Sequence, residues 1–104
     1  MAIPTNEVVS QIFNFRALGA HSSGATISSA TVLTIPAGAS GILIQTFTQN
    51  VRYTLDGTIP TSAVGFQLKA ADPPVFIPLD SDVIFTVIEE AATAVLQYQF
   101  LRAK

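Results

Sequence analysis

The chain has 104 residues, enough for one domain, and its seven acidic and five basic residues give a net charge of −2. It has no cysteine, so neither a disulfide framework nor a thiolate metal site is expected. This charge balance lacks the basic footprint of a nucleic-acid-binding protein, and no apolar run approaches the roughly 20 residues that cross a bilayer. We therefore expect no nucleic acid and no membrane among its partners.

Charged side chains are scarce, while hydrophobic residues make up 49% of the chain. From Ala17 to Val51 no side chain carries a formal charge, except His21 when it is protonated. A small domain with so few charges often covers apolar surface by association. We therefore expect a homo-oligomer or a docked protein, and a neutral surface rich in serine and threonine is the alternative.

The first 30 residues give two conflicting signals. The spacing of Val8, Ile12 and Phe15 fits one face of a helix, whereas the alternation of Phe13 and Phe15 fits a strand. Apolar residues 8–18 are followed by a link rich in serine and glycine, which is typical of a loop or an extended arm. Residues 1–30 are therefore expected to form either an N-terminal arm or an extra strand.

An arm of this kind would reach a neighbouring subunit. Its apolar side chains and its one arginine are the predicted partner contacts. These residues are Ile12, Phe13, Phe15 and Arg16.

From Thr31 onward, apolar and polar residues alternate with period two, and turn residues interrupt the alternation about every 8 to 12 positions. This pattern predicts seven short strands and an all-β, single-domain antiparallel β-sandwich, jelly-roll-like, over residues 31–104. The strands are expected at Thr31–Ile35, Ile42–Thr48, Asn50–Leu55, Phe66–Lys69, Val75–Pro78, Val83–Ile88 and Leu96–Leu101.

The alternation also predicts which side chains face the core. They are Leu33, Ile35, Ile44, Phe47, Val51, Tyr53, Phe66, Leu68, Phe85, Val87, Tyr98 and Phe100. The prolines of Val75–Pro78 confine that strand to a sheet edge.

Groups that could carry catalysis or bind a metal are few. His21 is the only imidazole, and it lies in a Ser/Gly-rich stretch without a nucleophile motif. Asp80 and Asp82 form only a fragment of a calcium loop and are interpreted as solvated turn carboxylates. Glu89 and Glu90 would point to opposite faces of a strand. The sequence therefore predicts no enzyme, no metal site and no cofactor.

The most informative segment is VRYTLDGTIPTSAVGFQL, residues 51–68. It predicts a strand, a turn and a second strand entered through glycine. An aspartate in such a turn accepts backbone amides, glycine supplies a positive φ, and proline stiffens the exit. The predicted structural turn residues are Asp56, Gly57, Thr58, Pro60, Thr61 and Gly65.

This segment and its surroundings resemble a family of small bacteriophage virion proteins. The family pattern, from Q-N-V-R-Y through D-G-T-x-P-T to an I-E-E-A-A turn, is matched by residues 49–53, 56–61 and 88–92. The resemblance covers about residues 31–102. The D-G-T-x-P-T turn also resembles that of chitobiase C-terminal-like modules of carbohydrate-processing proteins.

The phage resemblance implies a virion protein assembled in the bacterial host cytoplasm. The role it suggests first is a capsid decoration (cement) protein that binds the major capsid protein as a homo-oligomer, with a trimer favoured. A tail or head-completion component is an alternative, and the second resemblance leaves a carbohydrate-binding module open.

Overall fold

The computed structural model describes residues 15–25 and 27–103, and within these ranges the protein is all-β without a helix. Two antiparallel sheets of four strands each pack into a β-sandwich. The strands are β1 (Phe15–Ala25), β2 (Thr31–Leu33), β3 (Gly41–Phe47), β4 (Val51–Thr54), β5 (Phe66–Leu68), β6 (Val75–Pro78), β7 (Phe85–Glu89) and β8 (Val95–Ala103). No membrane-spanning helix is found in the described ranges.

The strands pair in a nested order along the chain. The strand order is β1-β8-β3-β6 in one sheet and β2-β7-β4-β5 in the other. The first strand therefore pairs with the last, β2 with β7, β3 with β6, and β4 with β5, and all these pairs are antiparallel. β3–β8 and β4–β7 pairing completes each sheet.

The edges of the two sheets lie on shared sides of the sandwich. β1 and β2 are both edge strands, and only residues 26–30 separate them in the sequence. β5 and β6 are the other two edges, separated by residues 69–74. Because short connections usually join elements that are close in space, we infer that β1 and β2 form one lateral side of the molecule and β5 and β6 the other.

The core lies between the inward faces of the sheets. Ile42 and Ile44 of β3 face Val51 of β4 and Phe85 of β7, and all four side chains are almost inaccessible to solvent. Complete burial of one such side chain contributes about 1.5–3 kcal/mol. The predicted core residues that are buried are Leu33, Ile44, Val51, Leu68, Phe85, Val87 and Phe100.

Some predicted core residues are less buried than expected. Ile35, Tyr53 and Tyr98 pack against the core but are only partly buried. The prediction for Phe66 was wrong, because its side chain is 64% exposed. The alternation predicted the correct face of β5, since Phe66 pairs with Tyr53 and their ring centroids lie 5.5 Å apart. However, β5 is an edge strand, so no further strand covers the Phe66 ring.

The strand predictions for residues 31–101 are confirmed in β2 to β8, and β6 lies at a sheet edge as its prolines predicted. The eighth strand, β1, is the extra strand that the sequence left open as the alternative to an arm, and it includes residues 19–25, whose composition is typical of a loop. Gly19 and Gly24 there have φ of 77° and 74°, and the pairing with β8 shifts register twice. Small residues and glycine bulges therefore form this edge strand through backbone pairing, without an apolar alternation.

Candidate functional site

The turn after β4 is organised by the Asp56 carboxylate. Thr58 donates its backbone N–H to Asp56 Oδ1 at 3.0 Å, and Gly57 between them has φ of 87°. The Thr54 hydroxyl donates to the Thr58 carbonyl oxygen and ties the turn back to β4. The amide of Thr58 lowers the pKa of Asp56, because accepting this hydrogen bond stabilises the charged carboxylate. Asp56 is therefore negatively charged at neutral pH.

The second half of the same loop is shaped by Pro60, Thr61 and Gly65. Pro60 is fully buried, and Thr61 exchanges backbone hydrogen bonds of 3.0 and 3.3 Å with Val64. The Thr61 Oγ1 also accepts the Val64 N–H at 3.1 Å. Gly65 enters β5 with φ of 122°, and a Cβ there would lie 3.0 Å from the Tyr53 carbonyl oxygen. These residues therefore shape the loop itself.

A polar network joins β4, β5 and the end of β7. Arg52 Nε donates to Glu90 Oε2 at 2.7 Å, and Arg52 Nη1 donates to the Gly65 carbonyl oxygen at 2.9 Å. The Gln67 amide donates to the same Glu90 oxygen at 2.6 Å. The Gln67 hydrogen bond, followed by the hydrogen bond and charge of Arg52, lowers the pKa of Glu90. The network holds the loop against the sheet, and it pairs the positive charge of Arg52 with the Glu90 carboxylate.

A cleft of about 520 Å³ opens beside the loop. We call it the loop cleft, and it is lined by Thr54, Leu55, Asp56, Thr58, Gly65 and Phe66. Large apolar side chains are also exposed in the same loop, Ile59 at 71% exposure and Val64, and the exposed Ile84 side chain lies next to Gly57. The cleft itself brings the apolar side chains of Leu55 and Phe66 together with one charged carboxylate, that of Asp56.

The loop cleft combines an exposed aromatic face with the negative charge of Asp56. A side chain with an apolar stem and a cationic end suits such a surface, because the stem buries apolar area while the charge meets a carboxylate and an aromatic ring. Arginine and lysine have this chemistry. A neutral ligand with both apolar and hydrogen-bonding faces also suits it.

Of the predicted partner contacts, Ile12 and Phe13 lie outside the described residues. Phe15 and Arg16 form the start of β1. Arg16 lies directly opposite Arg102 of β8, and both side chains are exposed. The structure therefore places two arginines side by side at one end of the β1–β8 pair.

Phe15 has a partner within its own chain. Its ring lies 5.1 Å from that of Phe76 on β6, centroid to centroid. Phe76 leans over Gly41 of β3, where a Cβ would lie 2.5 Å from the ring, and Leu101 of the neighbouring β8 is buried. A small apolar cluster thus lies at the start of β1.

The remaining polar candidates have local partners. His21 Nε2 lies 3.0 Å from the side-chain oxygen of Gln97. Asp80 Oδ1 accepts the backbone N–H of Asp82 at 2.9 Å, as in a capped turn. Glu89 accepts from a backbone amide of the β7–β8 turn at 3.3 Å. Within residues 15–25 and 27–103, no group of three or more histidine or acidic side chains is arranged to hold a metal ion.

Comparison with known proteins finds no family model, no curated protein and no solved structure that matches the chain. The site is therefore interpreted from its own geometry.

The sequence predicted the turn but missed the loop cleft beside it. One signal was present: Ile59 and Val64 are large apolar residues within a turn that is otherwise polar. Apolar side chains in a tight loop without inward alternation are candidates for a binding surface. No feature of the sequence indicated that the Phe66 side chain would be exposed.

Proposed function

We propose that this chain is a non-enzymatic structural protein of a bacteriophage particle, a capsid decoration (cement) protein that binds the shell of major capsid protein. The observation that carries the proposal is the strand pairing, first with last and inward to β4 with β5. We interpret two four-stranded sheets paired in this order as a jelly roll, an architecture that recurs in viral capsid domains. The resemblance of about residues 31–102 to phage virion proteins, which includes the match at residues 88–92, supports the same assignment.

Because one fold serves many functions, the surface chemistry must also agree. The described surface exposes large apolar side chains, including Ile59 and Phe66, and its charged residues are few. Burying such surface against a shell would favour association, and binding energy would then stabilise the assembled shell by linkage. A decoration role requires neither a pair of catalytic residues nor a cofactor.

We assign the shell contact to the segment that precedes β1 and contains Ile12 and Phe13, joined to the sheet at Phe15 and Arg16. The Phe15–Phe76 contact would fix where this segment leaves the body. The partner is the major capsid protein, and the location is the virion, assembled in the host cytoplasm. The decoration protein itself would be a homo-oligomer, with a trimer favoured.

Deletion of residues 2–14 tests this assignment and spares all of β1. Undecorated shells of the phage that encodes the protein are mixed with wild-type or truncated protein and sedimented. We expect the truncated protein to keep its thermal unfolding transition and to lose binding. Shell binding at the wild-type level would reject the contact, and failure of the wild-type protein to sediment with shells would reject the decoration role.

Copy number separates the decoration role from a tail or head-completion role. Quantitative mass spectrometry of purified particles should give hundreds of copies for a shell protein. A dozen or fewer copies would favour the tail or a vertex instead.

The loop cleft favours a second candidate, a carbohydrate-binding module. The cleft places an exposed aromatic ring, Phe66, near a carboxylate, Asp56, and sugar-binding sites contain such groups. The jelly-roll architecture also occurs in lectins. Calorimetry with host surface polysaccharide tests it, with Phe66→Ser as the matched variant. Binding that the variant abolishes would favour this function over shell decoration.

A further inference from the structure

Arg16 of β1 and Arg102 of β8 place two positive charges side by side. Arg16 and Arg102 are directly opposed across the strands, where facing side chains have Cβ atoms about 4.5–5.5 Å apart. Like charges in this arrangement repel and weaken the strand pair. Within residues 15–25 and 27–103, the one ion pair joins Arg52 to Glu90 instead. The arginine pair therefore offers two exposed cations that a carboxylate would stabilise.

The loop cleft has the opposite character. Asp56 is charged and exposed, and it lines the cleft together with Phe66; Ile59, in the same loop, is also exposed. The cleft therefore offers a carboxylate that a positively charged side chain could meet.

Both surfaces lie at the same end of the sandwich. Gly41, the first residue of β3, pairs with Leu101 next to Arg102, so β3 begins at the end that carries the arginine pair. β3 runs away from this end, and residues 48–50 turn the chain back through β4 to the loop cleft. The two surfaces face different sides, because β1 is an edge on one lateral side and β5 an edge on the other.

We propose that the arginine pair of one copy docks into the loop cleft of the next copy. The inference rests on the homo-oligomer of the proposed function and identifies its contact. One guanidinium pairs with the Asp56 carboxylate, and an arginine stem and guanidinium plane cover Phe66 and Ile59. Because the two surfaces differ, the contact is heterologous and repeats from copy to copy until the ring closes.

The test measures mass in solution by size-exclusion chromatography with light scattering. The wild type should have a mass that is a multiple of 11.0 kDa, three-fold for a trimer. R16E/R102E and, separately, Phe66→Ser should each be monomeric. Asp56→Asn removes the charge, keeps the oxygen that accepts the Thr58 amide, and should weaken assembly at least ten-fold. Val32→Ser, at an exposed apolar position on β2, is the matched control and should keep the wild-type mass.

A mixing experiment tests the heterologous geometry. R16E/R102E keeps an intact cleft, and Phe66→Ser keeps an intact arginine pair. In an equimolar mixture, the arginine pair of the Phe66→Ser variant should dock into the cleft of the R16E/R102E variant. Assembly should then stop at a dimer, because no second pair of intact surfaces remains. A mixture that remains monomeric, or single variants that keep the wild-type mass, would overturn the proposal.

The failure of this inference can be distinguished from failure of the proposed function. A monomeric wild-type protein that still sediments with shells would overturn the copy-to-copy contact and leave the decoration role standing. The protein lacking residues 2–14 should keep the wild-type mass, because the docking surfaces lie in the body. Its dissociation to a monomer would contradict the proposal.

Discussion

The rings of Phe15 and Phe76 lie 5.1 Å apart although two strands, β8 and β3, separate the strands that carry them. Neighbouring strands are about 4.8 Å apart, so both side chains must lean inward over the sheet to meet. Gly41 makes this possible, because Phe76 occupies the space where another residue would place its Cβ. A missing side chain in β3 thus allows a contact between the two edges of the sheet.

Gly41→Ala should destabilise the protein. The added Cβ would lie 2.5 Å from the Phe76 ring and 3.1 Å from the Ile77 carbonyl oxygen, so the ring must move away. Overpacking of this kind costs about 1–3 kcal/mol. Urea denaturation should show this loss, and Phe76→Leu should recover part of it in the double variant. Additive effects of the two changes would contradict the steric explanation.

The hydrogen bond from Gln67 to Glu90, together with the hydrogen bond and charge of Arg52, predicts a loss of stability in acid. Folding lowers the pKa of Glu90 below its unfolded value of about 4.3. Such a carboxyl stabilises the fold above the unfolded-state pKa, and the contribution is lost as the pH falls through the folded-state pKa. In Glu90→Gln, the free energy of unfolding should therefore fall less steeply below about pH 4.3.

Urea denaturation at a series of pH values measures this slope. Gln67→Leu should reduce it in part, because the Gln67 amide is the first contributor to the lowered pKa. At neutral pH, Arg52→Ala should cost about 1–2 kcal/mol, because it removes hydrogen bonds to Glu90 and to Gly65. An unchanged acid slope in Glu90→Gln would show that other carboxyls govern acid unfolding.

Thr93→Gly should stabilise the protein. Thr48 and Thr93 have φ of 68° and 72°, and this left-handed conformation costs an L-residue about 1–2 kcal/mol. Thr93 contributes its carbonyl oxygen to the contact, 2.6 Å from the Thr48 hydroxyl, and glycine keeps that oxygen. After the larger unfolded-state entropy of glycine is subtracted, a gain of up to about 1 kcal/mol is expected. Thermal denaturation measures it, and Thr48→Gly, which loses the hydroxyl, should gain less.

Gly57 and Gly65 should differ sharply in their tolerance of substitution. Both have positive φ, but a Cβ on Gly57 first meets the Ile84 side chain at 3.4 Å, whereas one on Gly65 meets the Tyr53 carbonyl oxygen at 3.0 Å. Gly57→Asn should cost less than about 1 kcal/mol, because asparagine tolerates the left-handed region. Gly65→Asn should cost about 3 kcal/mol or more, combining strain with overpacking. Equal melting temperatures of the two variants would contradict this difference.

The alternation from Thr31 onward predicted β2 to β8 because burial on one face imposes a period of two on a strand. It did not favour β1 over an arm, since residues 19–25 are small and join the sheet through backbone hydrogen bonds. The turn at Asp56 and Gly57 was predictable from local chemistry, since the carboxylate and the glycine act within their own turn.

The loop cleft could not be predicted in the same way. Phe66 has the alternation of a core residue, and only the strand order makes it an edge residue. Strand order depends on pairing between distant segments, which the period of a single strand does not encode. The pairing of Arg16 with Arg102 was hidden for the same reason.

The pairing of β1 with β8 also constrains how the protein is made. A ribosome synthesises β1 first and β8 last, so the first strand has no partner until nearly all of the body has emerged. Long-range pairing of this kind slows folding to about milliseconds to seconds. During that interval β1 is a bare strand open to the wrong partner, and rapid synthesis of many copies should make aggregation, more than stability, limit the yield of native protein.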